Sequence, residues 1–326
     1  MLFDEAFLEK LEYLHIVSRK VFAGRVRAER QTRKVGSGLE FADHRDYARG
    51  DDPRYLDWNV VGRMDRLLVR LFEEEEDLSI YLLVDTSKSM STEPPLPADA
   101  RKKVSGTFCR NGPSGCFAQK VPDTFFRPVS PFDYARQIAA ALAYIGLANL
   151  DRVSIIPFST TVGQTMPPTR GKGRIYKVFH ALEALAPDGV TSLTAAFGDF
   201  VARTRRAGLA VVISDFFDVA GFEAGLNRLR YGKHEVFAIH THLPSGRPAD
   251  GELDGELTLV DAETGRARAV TLTPATLRHY DAAFDRYQER LARFCLARGI
   301  GFVKAPVSVP FEHAILNVFR QGGFLK

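Results

Sequence analysis

Apolar and polar positions along the chain come in blocks that predict strands separated by helices. Short buried strands are predicted at 78–85 (LSIYLLVD), 152–159, 209–215, 234–242 and 299–306. Helices are predicted at 132–150, 174–185, 192–208, 221–230, 276–299 and 311–320. Strands that alternate with helices form parallel pairs joined by right-handed crossovers. The pattern therefore predicts an α/β fold with a Rossmann-like, doubly wound, mostly parallel sheet.

Three segments depart from this alternation. Residues 1–77 combine a helical stripe, a basic stretch at 18–34 and a region of mixed charge, and we expect them to form an N-terminal lobe that packs on a main domain of residues 78–326. The Gly- and acid-rich residues 243–273 predict a small β excursion. The insertion at 91–131 is rich in Pro, Gly and Ser, and such long loops are either functional or disordered. A floppy lid and an ordered cap are both compatible with this composition.

Composition narrows the class of protein. With 45% hydrophobic and 26% charged residues the chain resembles ordinary globular proteins. The net charge of +4 is not concentrated in a tail, and the basic stretch has few aromatic residues, so nucleic-acid binding is not expected. Neither a membrane span nor a signal peptide is predicted. Three cysteines (Cys109, Cys116 and Cys295) show no metal pattern, and their odd number favours a reducing cytoplasm.

Polar side chains follow the predicted strands at one edge of the sheet. The stretch YLLVDTSKSM ends a buried strand in Asp85, and Ser87 and Ser89 follow at alternate positions. Asp215 ends the strand VVISD, and Thr191 lies in DGVTSL, in a turn before a helix. In open α/β sheets, ligands bind outside the carboxyl ends of the strands. We therefore expect these five side chains to converge there.

The five oxygen-bearing side chains fit a hard divalent cation. Mg²⁺ takes about six oxygen ligands and keeps water readily, and Mn²⁺ or Ca²⁺ could replace it. Because only Asp85 and Asp215 are charged, the ion would favour a further carboxylate from a protein partner. Asp, Ser and Thr at strand ends also cap helices, which is an alternative for each residue alone. Their ordered occurrence at strand ends favours the metal.

No catalytic residue is predicted. A phosphotransferase with an aspartate nucleophile would need a second acid two residues on, where Ser87 stands. A serine nucleophile would need a glycine-flanked elbow and a base, and no phosphate-binding loop is present. A hydrolase that uses the same ion to activate water remains the alternative function. Its candidate bases would be His180 and His240.

The motifs resemble a known family. DTSKS, Thr191 in GVTSL and Asp215 in ISD resemble the metal-ion-dependent adhesion motif of von Willebrand factor A domains, DxSxS…T…D. The stretch from GLEFADHRDYARGDDPRYLDWN to LLVDTSKSM, and the later LVDAETG, resemble the bacterial family called domain of unknown function 58, over most of the chain. The insertion at 91–131 and Val190, where the family tends to have glycine, depart from its pattern.

This resemblance implies a von Willebrand factor A-like core with the five residues as metal ligands. It also implies a cytoplasmic adaptor for a MoxR-type AAA+ ATPase, which acts in the maturation or remodelling of other proteins. Two interpretations of GDDPRYLDWN stay open. Either Asp51, Asp52 and Arg54 pair with one another while Trp58 packs under the sheet, or the segment is a surface for a partner.

Overall fold

A six-stranded, mostly parallel sheet forms the centre of the molecule. The computed structural model describes residues 3–22, 31–35, 40–75, 78–91, 130–243 and 255–320. The strands of this sheet are β4 (Ser79–Asp85), β5 (Arg152–Phe158), β6 (Met166–Thr169), β7 (Leu209–Ser214), β8 (Glu235–His242) and β11 (Gly301–Pro306). Their order is β11-β8-β7-β4-β5-β6, and every neighbouring pair is parallel except β5 with β6. The predicted mixed α/β architecture with a mostly parallel sheet is confirmed.

Helices cover both faces of the sheet. They are α1 (Glu5–Phe22), α3 (Pro131–Ala148), α4 (Ile175–Glu183), α5 (Leu193–Arg203), α6 (Glu223–Tyr231), α7 (Pro274–Ala297) and α8 (Phe311–Arg320), whereas α2 (Trp58–Met64) belongs to the N-terminal segment and has no buried residue. Along β4, Ile80, Leu82 and Val84 belong to one buried apolar cluster, whereas Tyr81 and Leu83 belong to the other. Successive strand residues point to opposite faces, and a strand covered on both faces has a continuous apolar run.

Helix α3 packs closely against the strand that leads to the candidate site. Its first turn is capped by Ser130, whose side chain accepts a hydrogen bond from the backbone of Asp133, and Pro131 begins the helix. A Cβ at Gly146 would lie 2.9 Å from the side chains of both Ile80 and Val153. Glycine at this position therefore permits the close approach of helix and sheet. In the described part of the chain, no helix combines the length and the apolar character that a membrane span requires.

The N-terminal residues contribute both to the main core and to a separate small sheet. Phe3 stacks on Phe179 with ring centroids 4.6 Å apart, and Phe7 contacts Phe311 at 5.0 Å. The small sheet contains β1 (Gln31–Val35), β2 (Glu40–Asp46) and β3 (Leu68–Glu75), antiparallel in the order β1-β3-β2. Helix α1 thus belongs to the core of the molecule, and the predicted domain boundary at residue 78 stays a prediction.

In the GDDPRYLDWN segment Asp51 has a partner other than those expected, whereas Asp52 contacts Arg54. Asp51 accepts two hydrogen bonds from Arg45, at 2.8 and 2.9 Å, while Asp52 accepts one from the backbone of Arg54. Trp58 begins α2 and is 63% exposed, so the interpretation that it packs under the sheet is wrong. The polar residues of this segment therefore have structural roles that are mostly local.

The β excursion is a two-stranded hairpin outside the central sheet. Strands β9 (Gly255–Val260) and β10 (Ala267–Leu272) are antiparallel and form a sheet of their own. This confirms the β structure predicted within 243–273. Residues 92–129 of the insertion, with Cys109 and Cys116, and residues 23–30 of the basic stretch lie outside the described residues. The predictions for them therefore stay predictions.

Candidate functional site

Register in the central sheet brings Asp85 and Asp215 together. Val84 of β4 pairs with Ile213 of β7, so that Asp85 lies beside Ser214 and Asp215 follows directly. The Ser214 hydroxyl donates to Asp85 Oδ2 at 2.5 Å, and the backbone N–H of Ser87 donates to Asp85 Oδ1 at 2.9 Å. Asp85 is completely buried. Parallel pairing thus holds one carboxylate in the interior at the carboxyl edge of the sheet.

The two serines of the motif connect this edge to Asp215. Ser87 Oγ lies 3.0 Å from Ser89 Oγ, and Ser89 Oγ donates to Asp215 Oδ2 at 2.8 Å. The backbone of Phe217 donates to Asp215 Oδ1 at 3.0 Å. A carboxylate oxygen has about two lone-pair directions, so an oxygen with one such donor keeps capacity to bind a cation. Four of the five predicted ligands therefore converge in one small region.

The fifth predicted ligand, Thr191, lies on an adjoining loop. Gly189, in a left-handed conformation at φ +86°, accepts a hydrogen bond from the backbone of Lys88 at 3.2 Å, which joins this loop to the motif. Thr160 Oγ1 donates to the carbonyl of Val190 at 2.8 Å. Thr191 is buried, but its hydroxyl donates to Glu263 Oε1 at 2.8 Å. Thr191 is near the motif, and its hydrogen bond is made to an acid from the β9–β10 hairpin.

Both aspartates have unfavourable surroundings for a negative charge. Burial, and then the nearby charge of Asp215, raise the pKa of Asp85 to about 7. Burial raises the pKa of Asp215 to about 6, and the charge of Glu263 adds to this effect. Among the described residues, neither carboxylate forms an ion pair with Lys or Arg. Buried acids without a cationic partner are costly, and a bound cation would remove that cost.

The donor set fits a hard cation only if hydroxyl oxygens take part. In the described ranges, no group of three or more His, Cys, Asp or Glu side chains could hold a metal ion. Two carboxylates with serine and threonine hydroxyls would provide oxygen ligands of the kind that Mg²⁺ prefers. Asp85, Ser87, Ser89, Thr191 and Asp215 are the residues that would hold the ion. The hydroxyls are therefore as important to the prediction as the acids.

The backbone beside Asp215 adopts a conformation that is uncommon for its residue type. Phe216 has φ +58°, in the left-handed region, and its carbonyl accepts a hydrogen bond from the Tyr287 hydroxyl at 2.5 Å. Non-glycine residues in this region are costly and cluster at functional sites, where the surrounding structure maintains them. Asp218 supports the same turn by accepting a hydrogen bond from the backbone of Leu193 at 2.8 Å. The loop after β7 is thus held in place from two sides.

Neither candidate base contacts the carboxylates. His240, on β8, is completely buried among aromatic rings, and burial lowers its pKa to about 3. Its two ring nitrogens have no hydrogen-bond partner in the described structure. His180 is exposed on α4. His240 is therefore a neutral core residue, and no positioned base accompanies the two aspartates among the histidines predicted for that role.

Sequence reasoning missed two residues that complete the arrangement. Ser214 is the last residue of the apolar strand LAVVIS, and only the register with β4 reveals that it faces Asp85. Glu263 lies 72 positions after Thr191, and no spacing rule connects them. Within LVDAETG nothing in the sequence links Glu263 to a hydroxyl, so the contact is visible only in the folded chain.

Comparison with known families identifies a group of related proteins. Residues 43–96 and 128–290 match the family model described as "Protein of unknown function DUF58", which is more than half of the chain. The chain belongs to the DUF58 family. The match covers β4, the motif loop, β7 and the β9–β10 hairpin, so that all the residues of the candidate site lie within the DUF58 region.

Individual relatives of this DUF58 protein are distant. Uncharacterized proteins from Mycobacterium bovis and Mycobacterium tuberculosis are 27% identical over 271 residues, which is 82% of this chain and 73% of each relative. An aerotolerance-related membrane protein from Bacteroides fragilis has a TM-score of 0.43 at 16% identity, covering 75% of this chain and 98% of that one. The conserved hypothetical protein BatB from Bacteroides thetaiotaomicron has a TM-score of 0.43 at 15% identity, with the same coverage.

Proposed function

We propose that this DUF58 chain is a metal-dependent protein-interaction module. Asp85, Ser87, Ser89, Thr191 and Asp215 would hold a divalent cation, Mg²⁺ first and Mn²⁺ or Ca²⁺ as substitutes. The observation that carries the proposal is the pair of buried aspartates, which hydroxyl groups join and which no Lys or Arg of the described residues neutralises. When bound, the cation would supply a Lewis-acidic centre for a partner's carboxylate.

The chain's own residues would prepare this centre. Ser214 and the backbone of Ser87 orient the Asp85 carboxylate, and Ser89 and the backbone of Phe217 orient that of Asp215. Asp85 and Asp215 lie at the carboxyl ends of adjacent parallel strands, and the motif has the arrangement DxSxS…T…D. Both features support our proposal that the α/β core is von Willebrand factor A-like and Rossmann-like. A rigid binding site of this type needs no general base, in agreement with the neutral, buried state of His240.

The proposed partner presents an acidic side chain. A cation with two carboxylate ligands and neutral hydroxyls keeps room for a further carboxylate. The family resemblance supports a MoxR-type AAA+ ATPase as the partner, in the maturation or remodelling of other proteins within the cytoplasm. The hydrolase alternative would need a base positioned by residues other than His180 and His240.

The test compares metal and partner binding across variants of the full chain. We expect Asp85→Ala, and the double variant with Asp215→Ala, to lose Mg²⁺ binding by calorimetry and Mg²⁺-dependent capture of a MoxR-type ATPase. Asp188→Ala is the matched control, because this acid is exposed on the loop next to the motif. Circular dichroism would verify that each variant is folded. Unchanged Mg²⁺ binding in the double variant would contradict the proposal.

A further inference from the structure

An aromatic side chain is exposed directly beside Asp215. Two phenylalanines follow this acid in the stretch SDFFD, and they have opposite surroundings: Phe216 is completely buried, whereas Phe217 is 43% exposed. The backbone N–H of Phe217 donates to Asp215 Oδ1 at 3.0 Å. The exposed ring therefore belongs to the same turn as a predicted metal ligand.

The backbone of this turn holds Phe217 at the surface. Phe216 has φ +58°, its N–H donates to Ser214 Oγ at 2.8 Å, and its carbonyl accepts from the Tyr287 hydroxyl at 2.5 Å. A left-handed phenylalanine and an exposed aromatic ring are both unfavourable for stability, and strained residues of this kind cluster at functional sites. The exposure of Phe217 is thus imposed by the surrounding structure, which suggests that the ring has a function at the surface.

Two residues of α7 extend the Phe217 ring into a larger apolar area. The ring centroids of Phe217 and Phe284 are 6.4 Å apart, and Tyr280 stacks on Phe284 at 6.4 Å with 7° between the ring planes. Tyr280 is 59% exposed and Phe284 is half-buried. We call Phe217, Tyr280 and Phe284 the aromatic surface. Contiguous exposed apolar groups mark interaction sites, and tyrosine is among the residues that contribute most to binding.

A lysine lies on the other side of Asp215. Ser89 Oγ donates to Asp215 Oδ2, the oxygen that Phe217 does not contact, and Lys88 precedes Ser89 in the motif loop. Lys88 Nζ lies 3.8 Å from Asp188 Oδ1, and both side chains are well exposed. An ion pair between exposed side chains contributes little to stability, so Lys88 can exchange this contact for one with another acid. The charge of Lys88 favours an acidic segment over a basic one.

We propose that the aromatic surface is a second contact for the partner of the candidate metal site. The partner would be a protein segment that carries an acidic side chain for the cation and a large apolar side chain for the aromatic surface. This inference rests on the proposed function and names the chemistry of its partner. Phe217 follows Asp215 by two residues, and two residues of chain span at most about 7 Å. One extended segment therefore reaches both places with side chains a few residues apart.

The experiment measures the binding of two short peptides to the full-length chain in saturating Mg²⁺. The first peptide carries one Glu and, a few glycines later, one 4-fluorophenylalanine, and the second has Gln in place of Glu. Fluorine NMR reports the binding of the aromatic side chain directly. Wild type is compared with Tyr280→Ser, with Tyr280→Phe, which keeps the ring, and with Tyr231→Ser. Tyr231 is the matched control, because it is 83% exposed at the end of α6, next to the opposite edge of the sheet.

We expect wild type to bind the Glu peptide about tenfold more tightly than the Gln peptide. Tyr280→Ser should weaken the binding of the Glu peptide about tenfold, because less apolar surface is buried, and should leave the Mg²⁺ affinity by calorimetry unchanged. Tyr280→Phe and Tyr231→Ser should match wild type.

Three results would overturn this proposal. Equal affinity of wild type and Tyr280→Ser for the Glu peptide, with Mg²⁺ bound to both, would exclude the aromatic surface and leave the metal site intact. A wild-type dimer in sedimentation that dissociates in Tyr280→Ser but not in Tyr231→Ser would show that a second copy of this chain covers the surface. Failure of wild type to bind Mg²⁺ would overturn the proposed function together with this inference.

Discussion

Two groups of aspartates in this protein have opposite surroundings. In the N-terminal segment, Asp51 pairs with Arg45, and Asp57 caps α2 and lies 3.0 Å from the His44 ring. Hydrogen bonds from the backbone N–H of Ala48 and from Arg45 lower the pKa of Asp51, and the hydrogen bond with His44 lowers that of Asp57. At the sheet edge, burial raises the pKa of Asp85 and Asp215, which have hydroxyl and backbone donors. The acids of the first group have hydrogen-bond partners nearby in the same segment, whereas those of the second have no Lys or Arg partner among the residues that the structure describes.

This difference separates structural acids from functional candidates. A carboxylate that binds a guanidinium or lies at a helix N-terminus stabilises the fold, and its charge needs no additional ligand. A carboxylate kept in the interior against its own desolvation reduces stability, and proteins tolerate such positions mainly at functional sites. Sequence alone cannot separate the two, because DDPRYLD and LVDTSKS are both short segments that carry Asp close to a strand.

The largest expected effect concerns Asp85 and pH in the absence of metal. In the folded chain the pKa values of Asp85 and Asp215 are about 7 and about 6, against 3.8 for an exposed Asp. Between the pKa of an exposed Asp and the raised pKa values of the folded chain, the folded state binds more protons than the unfolded state. The free energy of unfolding therefore falls as pH rises from about 4 to about 7. Asp85→Asn should remove much of this fall in the free energy of unfolding. Because each unit of pKa difference corresponds to about 1.4 kcal/mol, the variant should be more stable than wild type at pH 8 by a few kcal/mol.

Urea unfolding in EDTA at several pH values would measure the difference between Asp85→Asn and wild type. His240, whose pKa is lowered, acts in the opposite direction, but it contributes equally to both proteins and cancels in that difference. Mg²⁺ at 100 times its Kd should stabilise wild type by about 2.7 kcal/mol and leave the variant unaffected. A variant that is less stable than wild type in EDTA at pH 8 would contradict the contrast drawn between the two acid groups.

Ser214→Ala should have the next largest effect. Its hydroxyl donates to Asp85 Oδ2, and it also accepts a hydrogen bond from the backbone of Phe216 at 2.8 Å. Loss of a group that orients a metal ligand costs about 10–100-fold in metal affinity. Calorimetry with Mn²⁺ would measure this change, with Ser192→Ala as the control, since Ser192 makes no capping bond with its side chain. Equal affinities for Ser214→Ala and wild type would show that Asp85 is oriented without Ser214.

The parts of the fold predicted from sequence are those with a clear apolar pattern or a clear cap. Strand β4 is a continuous apolar run because both of its faces are covered, and the alanine-rich α3 has a clear cap in Ser130. Strand β6, MPPT, was missed because two prolines hide an edge strand, where proline is tolerated. The burial expected for Trp58 is wrong because α2, which Trp58 begins, has no buried residue.

The sequence predicts those residues of the candidate site that lie at the ends of strands or in the loop directly after a strand. The motif spacing placed Asp85, Ser87 and Ser89 in one loop, and parallel pairing placed Asp215 beside them. Ser214 and Glu263 depend on register and on the position of a hairpin, neither of which leaves a periodic signal in the sequence. Long-range contacts between polar side chains are thus the part of this site that only the folded chain reveals.

The smallest expected effect is that of Asp57→Ala in the N-terminal segment. Asp57 Oδ1 accepts from the backbone of Asn59 at 3.1 Å and of Val60 at 3.4 Å, and its other oxygen faces His44. Loss of such a cap destabilises a helix modestly, so we expect the melting temperature to fall by a few degrees. Addition of Mg²⁺ should raise the melting temperature of Asp57→Ala as much as that of wild type. A reduced Mg²⁺ response in this variant would mean that the two acid groups are coupled, and the structural assignment of the first would then be wrong.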